Sequence, residues 1–360
     1  MKAGVWSPPR AARCFRLVGG PATFATVLVA VTGGSGFIGR RLVDAHVAQG
    51  DDVRVLTRNR GRAEASPAVE VFEGDLLDRA SLEPFVREVD VLYHCAAEIK
   101  DERLMHQVNV RGTESLLEVA QGRVRRWVQL SSVGAYGRRR HGIVTEETPE
   151  RPRDTYETTK TLADARVRQA LSSGAFEVVL LRPSIVFGEG MPNQSLYALF
   201  SMIRRGWFFF VGKPGASANY VHVDDVVRAL VCCGSHANAS GRTYNLSDWS
   251  TMEEMVQSIA HALGRPPPRL RLPELPVRCL ATTLGRLPRV PLTASRVELR
   301  PDGSVVLPSA DDTAPPGAAA ASIGRLLVEL VARRPPVDRA DALHLATGAA
   351  LPPGVVSLAV

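Results

Sequence analysis

Strand and helix patterns alternate along this 360-residue chain as expected of an α/β protein, a doubly wound parallel sheet with a smaller C-terminal lobe. Three features lead there. Short, continuous apolar runs recur through the first half, amphipathic stretches separate them, and a glycine-rich turn joins the first run to the first helix. Strands that are apolar on both faces need cover on both faces, which a parallel sheet flanked by helices supplies.

The first run, "FATVLVAV" at 24–31, falls far short of the roughly 20 apolar residues of a membrane helix. It ends in a glycine turn and is expected to be a strand, followed by a helix from about 37 to 49. The next strands are "DVRVLT" at 52–57, "VEVFEGD" at 69–75 and "VDVLYHCAA", ending at Ala97. "RWVQLSS" at 126–132 and "FEVVLLRPSIVFG" at 176–188 complete the series. Amphipathic segments separate most of them, as "LMHQVNVRGTESLLEVA" does at 104–120. Residues 25–190 therefore form the sheet domain.

After 190 the pattern loosens. "WFFFVG" at 207–212, a helix starting near Asp224 and "TYNLSD" at 243–248 define a lobe over 191–300, interleaved with the last strands and closed by "PLTASRVE". Residues 1–24 carry Arg10, Arg13 and Arg16 but no acid, a pattern shared by transit peptides and floppy leaders, and are placed outside the fold. Residues 301–360 are rich in Ala and Pro and are expected to be largely disordered, with one helix at "SIGRLLVELVARR".

The net charge of +7 comes almost wholly from arginine, since the chain has only Lys2, Lys100, Lys160 and Lys213. The basic runs "RVRR" and "GRRRH" are short and lack interleaved aromatics, so they are assigned to solvated loops and no nucleic-acid partner is expected. Five cysteines (Cys14, Cys95, Cys232, Cys233 and Cys279) include no C-x-x-C pair. That excludes a disulfide framework or a zinc site and suits a reducing, cytoplasmic compartment. No metal and no membrane span are expected.

"VTGGSGFIG" spaces Gly33, Gly36 and Gly39 three apart, between strand and helix. This is the turn that lets backbone approach a pyrophosphate while the helix N-terminus faces it, as in a Rossmann-type dinucleotide-binding fold. A cofactor with a free ribose usually meets a carboxylate at the end of the second strand. That end reads Thr57-Arg58-Asn59, with Arg60 and Arg62 beyond and no acid. Arg58 suits a 2′-phosphate, so NADP is favoured over NAD.

"YETTK" sets Tyr156 four residues before Lys160, on one helix face. With so few tyrosines and lysines, chance yields about 0.1 such pairs per chain. An ammonium beside a phenol favours phenolate, so the spacing predicts a lowered phenol pKa and an acid/base that works near neutrality. "SSVGAYG" lies at the carboxyl end of a strand, where Ser131 or Ser132 can hydrogen-bond a substrate carbonyl.

With these motifs placed, the chain resembles an extended short-chain dehydrogenase/reductase of the NAD-dependent epimerase/dehydratase family. The likeness runs from about 26 to 300 through "TGGSGFIG", "GDLLD", "HCAAE", "NVRGT", "SSVGAYG", "YETTK", "LRPSIVFG" and "YVHVDDV". It implies that Ser132 is the catalytic hydroxyl, Tyr156 the acid/base, and Lys160 the ribose-holding partner that tunes Tyr156. It implies a cofactor groove of Gly33, Ser35, Gly36, Phe37, Ile38 and Gly39, with Asp75 and Leu76 beside the adenine. Ala96, Ala97, Asn109, Pro183 and Ser184 would complete it. Glu98, Asn193, Lys213 and Asn219 are the implied substrate contacts, and a homodimer is the implied assembly. His222 and Asp224 match "YVHVDDV", with a strand histidine and a helix N-cap as their structural roles.

Two departures narrow the reaction. Sugar dehydratases of the family carry an Asp–Glu pair after the catalytic hydroxyl, where this chain has Val133 and Gly134. Many nucleotide-sugar epimerases carry an arginine before the "HV", where this chain has Ala218 and Asn219, leaving Lys213 as a candidate substitute. The expected activity is NAD(P)-dependent oxidoreduction or epimerisation at a secondary alcohol or ketone of a nucleotide-linked sugar. A reductase of steroid- or flavonoid-type ketones and a non-catalytic dinucleotide sensor are the alternatives. A sensor has no use for the Tyr156–Lys160 pair.

Overall fold

A computed structural model describes residues 26–62, 68–137 and 144–273. The leader 1–24, "PLTASRVE", the 301–360 tail and most of "GRRRH" lie outside these residues.

The chain begins with β1 (Leu28–Thr32), α1 (Phe37–Gln49), β2 (Asp52–Thr57), β3 (Val69–Glu73), α2 (Arg79–Phe85) and β4 (Val89–His94). A composite helix follows, α3 (Glu102–Met105) running through a π-helical segment (His106–Arg111) into α4 (Gly112–Ala120). Then come β5 (Val124–Leu130), α5 (Thr155–Ser172), β6 (Glu177–Pro183) and β7 (Ile185–Phe187). The remainder is α6 (Gln194–Arg205), β8 (Phe210–Val211), β9 (Ser217–His222), α7 (Val223–Ser235), β10 (Thr243–Leu246), β11 (Asp248–Thr251), α8 (Met252–Ala262) and β12 (Arg271–Leu272).

Seven strands form one sheet in the order β10-β6-β5-β4-β1-β2-β3, and every pairing in it is parallel. The expected doubly wound sheet is therefore present. Its strands alternate faces residue by residue: Val179 and Leu181 enter one apolar cluster, and Val178 and Leu180 the other. Strand order reverses between β1 and β4, so a crevice opens beyond their carboxyl ends, the place where such sheets bind ligands.

A third apolar cluster lies outside the sheet, built from Phe187, Leu196, Phe200, Phe210, Tyr220, Met255 and Ile259. It holds α6 and α8 against a three-stranded sheet, β11-β9-β7, and the β12-β8 pair. The chain does not stay in this lobe. β10, which contains "TYNL", pairs with β6 as the seventh strand of the large sheet, and α7 packs on α1 and on β4 to β6.

"RVRR" is no solvated loop. Its last residues open β5, and Arg126 is 2% exposed, ion-paired to Glu177. Its Nη1 donates to the carbonyls of Gly234 and His236, each at 2.8 Å. A helix C-terminus leaves carbonyls unsatisfied, and a cation there is favourable. Arg126 thus fastens α7 to the sheet.

Candidate active site

Gly33 leaves β1 with φ 70°, and a Cβ there would stand 2.7 Å from the Ala96 amide nitrogen. A Cβ on Gly39 would collide with the Gly33 carbonyl oxygen. Gly36 caps α1 without any side-chain hydrogen bond, and no acid occupies the first turn. The Gly36 amide donates to the Gly33 carbonyl at 2.9 Å, and the positive end of α1 beyond it is not compensated by a side chain, which fits a pyrophosphate.

A cavity of about 1280 Å³ begins at this turn and runs past the ends of β4, β5 and β6. That exceeds the roughly 300–1,000 Å³ of a drug-sized ligand site and leaves room for a dinucleotide and a substrate together. Ser184 lines it with a buried Oγ that has no hydrogen-bond partner among the described residues. The turn and this unpaired hydroxyl fit the cofactor expected from the sequence.

Ser132, Tyr156 and Lys160 meet at this cavity. Asp154 caps α5 by accepting from the Glu157 amide at 2.8 Å, which sets Tyr156 in the first turn. The Ser132 Oγ accepts from the Gly134 amide at 3.1 Å and stands close enough to the Tyr156 phenol to favour its ionised form. Lys160 is 3% exposed, and its Nζ donates to the Leu130 carbonyl at 2.7 Å. The phenol differs from expectation. Burial first, then the carboxylates of Asp164 and Asp154, push Tyr156 up to about 12, and Ser132 opposes them. Burial likewise lowers Lys160, against the pull of Asp164. Tyr156 therefore holds its proton at neutral pH and is set to donate it.

The cavity also takes in Gly33, Ser35, Gly36, Phe37, Ile38, Gly39, Ala97, Pro183, Asn193, Lys213 and Asn219. Other expected contacts lie elsewhere. Arg58 is exposed at the end of β2, outside the cavity lining. The Asp75 carboxylate accepts from the Leu77 amide at 2.9 Å, and Leu76 is buried beneath Gly112. Ala96 donates its amide to Thr32 Oγ1 at 3.3 Å. Glu98 spends one carboxylate oxygen on the amides of Ile99, Lys100 and Asp101. Asn193, although within the cavity lining, also caps α6 through its Oδ1. His222 caps α7 by accepting from the Asp224 amide, so the histidine itself is the N-cap.

Asn109 braces rather than lines. Its Oδ1 accepts from the Glu98 amide at 2.7 Å, and its Nδ2 donates to the Glu98 carbonyl and to Thr159 Oγ1. The sequence pattern suggests one regular helix over 104–120, whereas a π-helical segment aims this side chain inward. Below it, Thr113, His94 and Thr32 continue a buried polar chain to the glycine turn. Burial and the nearby Lys160 lower His94 to about 3, so it stays neutral in this chain.

Apolar side chains of the lining include Val133, Ile185, Val186, Phe210, Val211 and Met252, beside the polar Lys213, Ser217, Asn219 and Glu253. Arg271 is present but committed: it pairs with Glu253, donates to the Gly212 carbonyl and lies 4.7 Å from the Phe210 ring centroid. No motif in the sequence points to this pair.

A family model described as the NAD dependent epimerase/dehydratase family matches residues 29–247. The chain is 30% identical over 238 residues to the uncharacterized protein y4nG of Sinorhizobium fredii, covering 64% of this chain and 59% of that protein. It thus spans less than two thirds of that relative's length. It is 29% identical over 292 residues to a 3 beta-hydroxysteroid dehydrogenase/Delta 5-->4-isomerase of Mycobacterium tuberculosis, covering 74% of this chain and 78% of that one. Among solved structures it is similar to the UDP-glucose 4-epimerase of Thermus thermophilus in complex with NAD. That match has a TM-score of 0.56 and 26% identity, covering 69% of this chain and 87% of that one.

Proposed function

The chain belongs to the NAD-dependent epimerase/dehydratase family, and from that premise we propose that it interconverts a secondary alcohol and a ketone on a largely apolar substrate. The observation that carries this reading is that Ser132 and Tyr156 share one cavity with the apolar side chains of Val133, Ile185, Val186, Phe210, Val211 and Met252. Ala218 supports it, since no cation stands there to meet a diphosphate. The charge of Arg271 is already balanced by Glu253. The steroid dehydrogenase among the relatives fits the same substrate class.

The nicotinamide ring, when bound, supplies or accepts the hydride. Gly33, Gly36 and Gly39 admit the pyrophosphate to the end of α1, and Lys160 and Ser184 hold the nicotinamide side. Ser132 orients the substrate oxygen by hydrogen bonding. Tyr156 gives that oxygen its proton in reduction and removes it in oxidation. A phenol held near 12 suits the donating role. The apolar side chains of the lining keep water from the reacting carbon.

A second reading keeps the nucleotide-linked sugar. Lys213 and Asn219 line the same cavity, and the buried Oδ1 of Asn219 has no hydrogen-bond partner among the described residues, as a site for sugar hydroxyls would require. One experiment separates the two. Purified protein is given reduced cofactor and a panel of steroid-like and isoprenoid ketones, in parallel with calorimetry against UDP, GDP and dTDP. Turnover of an apolar ketone with no nucleotide binding below millimolar is the expected result. Tight nucleotide binding without ketone turnover replaces the first reading with the second.

We propose that Arg58, exposed just past the end of β2, reads the cofactor's 2′ position. A charge-assisted guanidinium–phosphate contact contributes roughly 1.5–3 kcal/mol. That predicts about a 10- to 100-fold preference for NADP(H) over NAD(H). Arg58→Ala erases it and leaves NAD affinity unchanged, as fluorescence titration of both cofactors would record. Tighter NAD⁺ binding by the unaltered protein refutes the role.

A further inference from the structure

Asp164 is 0% exposed and takes no part in the chemistry above. We propose that Asp164 is the positioning residue of this site, its carboxylate tying the ends of β5 and β6 to the helix that carries Tyr156 and Lys160. One oxygen, Oδ2, collects three donors: Ser131 Oγ at 2.6 Å, Arg182 Nη2 at 2.8 Å and Arg182 Nε at 3.2 Å. Each tie falls one step from a residue of the cavity. Ser131 precedes Ser132, Arg182 precedes Pro183 and Ser184, and Asp164 follows Lys160 by one helical turn and Tyr156 by two.

The choice of a carboxylate has a physical reason. Arg182 is 1% exposed and must be balanced within the protein. Asp164 balances it from α5 and Glu150 from the loop before α5, while Tyr136 offers its ring 5.0 Å away. A buried pair of this kind contributes little net stability, yet losing one partner is expensive because it strands the other charge. It does specify geometry, since a fork of two guanidinium nitrogens on one carboxylate oxygen fixes direction as well as distance. Both Ser131 and Ser132 line the cavity, but the Ser131 hydroxyl is committed to Asp164 whereas the Ser132 hydroxyl is not.

The second oxygen, Oδ1, is buried and has no hydrogen-bond partner among the described residues. The charge of Asp164 therefore acts also on its neighbours. It raises both Tyr156 and Lys160, keeping the proton on the phenol and the charge on the amine. Other groups facing this pair are Asp154 and Glu157 from α5, Ser132 after β5, and His94 and Cys95 at the end of β4. Of these, only Asp164 is also tied to both neighbouring strands.

The test is Asp164→Asn in the full chain with cofactor. The amide keeps the shape and accepts from Ser131, but it removes the charge that raises the phenol. The limb of the pH profile of kcat/KM that reports Tyr156 is expected to move to lower pH by about one unit. Turnover should fall about 10- to 100-fold, with cofactor affinity within about threefold of the parent. Asp164→Glu should return the limb toward its original position. Ser131→Ala removes one tie without stranding a charge, and it should lower kcat while leaving KM unchanged. It decides the matter where Asp164→Asn does not fold.

A folded Asp164→Asn protein with an unmoved limb, whether fully active or uniformly slowed, overturns the proposal. So does Ser131→Ala at parental kcat. The inference rests on Tyr156 as the acid/base, so Tyr156→Phe is run beside it. A fully active Phe variant removes that reading. An inactive one beside an unchanged Asp164→Asn removes only the role of Asp164.

Discussion

Tyr156→Phe lowers turnover by about 10²–10⁴-fold, the usual contribution of a positioned proton donor, and leaves cofactor affinity in place. The phenylalanine ring fills the same space on the first turn of α5, and Lys160 keeps its bond to the Leu130 carbonyl. Only the phenol oxygen and its proton are lost. Without them the developing oxyanion of a reduced ketone loses its proton donor, since Lys160 Nζ is bonded to the Leu130 carbonyl. Steady-state kinetics and cofactor titration on one preparation would check this. Near-normal turnover would remove Tyr156 from the chemistry.

Gly39→Ala strikes the other half of the site. The added methyl would meet the Gly33 carbonyl oxygen and lie 2.8 Å from the carbonyl carbon, both of them backbone atoms that cannot swing aside. The turn must open, costing about 1–3 kcal/mol of stability as overpacking does elsewhere. The amides facing the pyrophosphate move with it. Losing one charge-assisted hydrogen bond there weakens cofactor binding by about 10- to 100-fold. Gly50→Ala is the control. Gly50 also has positive φ, at 84°, but lies at the far end of α1 with no atom within 4 Å of an added Cβ. It should cost about 1–2 kcal/mol of stability and nothing in cofactor affinity. Equal affinity losses in the two variants would show that strain, not the turn, is being measured.

The candidate site was legible in outline because its parts sit at the ends of local patterns. A glycine turn after an apolar strand announces itself within nine residues, and "YETTK" within five. The cavity then gathers Ser132, Tyr156, Lys160 and the glycine turn although they lie up to 127 residues apart, from Gly33 to Lys160. What failed to transfer was the setting of individual polar groups. The Tyr156–Lys160 spacing suggests a lowered phenol pKa, yet Lys160 turns to the Leu130 carbonyl and buried carboxylates raise the phenol instead. One carboxylate oxygen of Glu98 and the Oδ1 of Asn193, a cavity residue, accept from backbone amides, which no sequence pattern indicates.

Arg126 and β10 show the same division at the level of the fold. Local patterns in the chain suffice to tell strands from helices, to make the sheet parallel and to place its phosphate-binding turn. These are properties of periodicity and of glycine, and they act within a few residues. Packing in three dimensions was needed to return "TYNL" as the seventh strand, to set Arg126 against the end of α7, and to commit the Ser131 hydroxyl, not that of Ser132, to Asp164. A buried polar group must find a partner wherever the packed chain brings one. That partner is set by strand order across a hundred residues, and no local pattern encodes it.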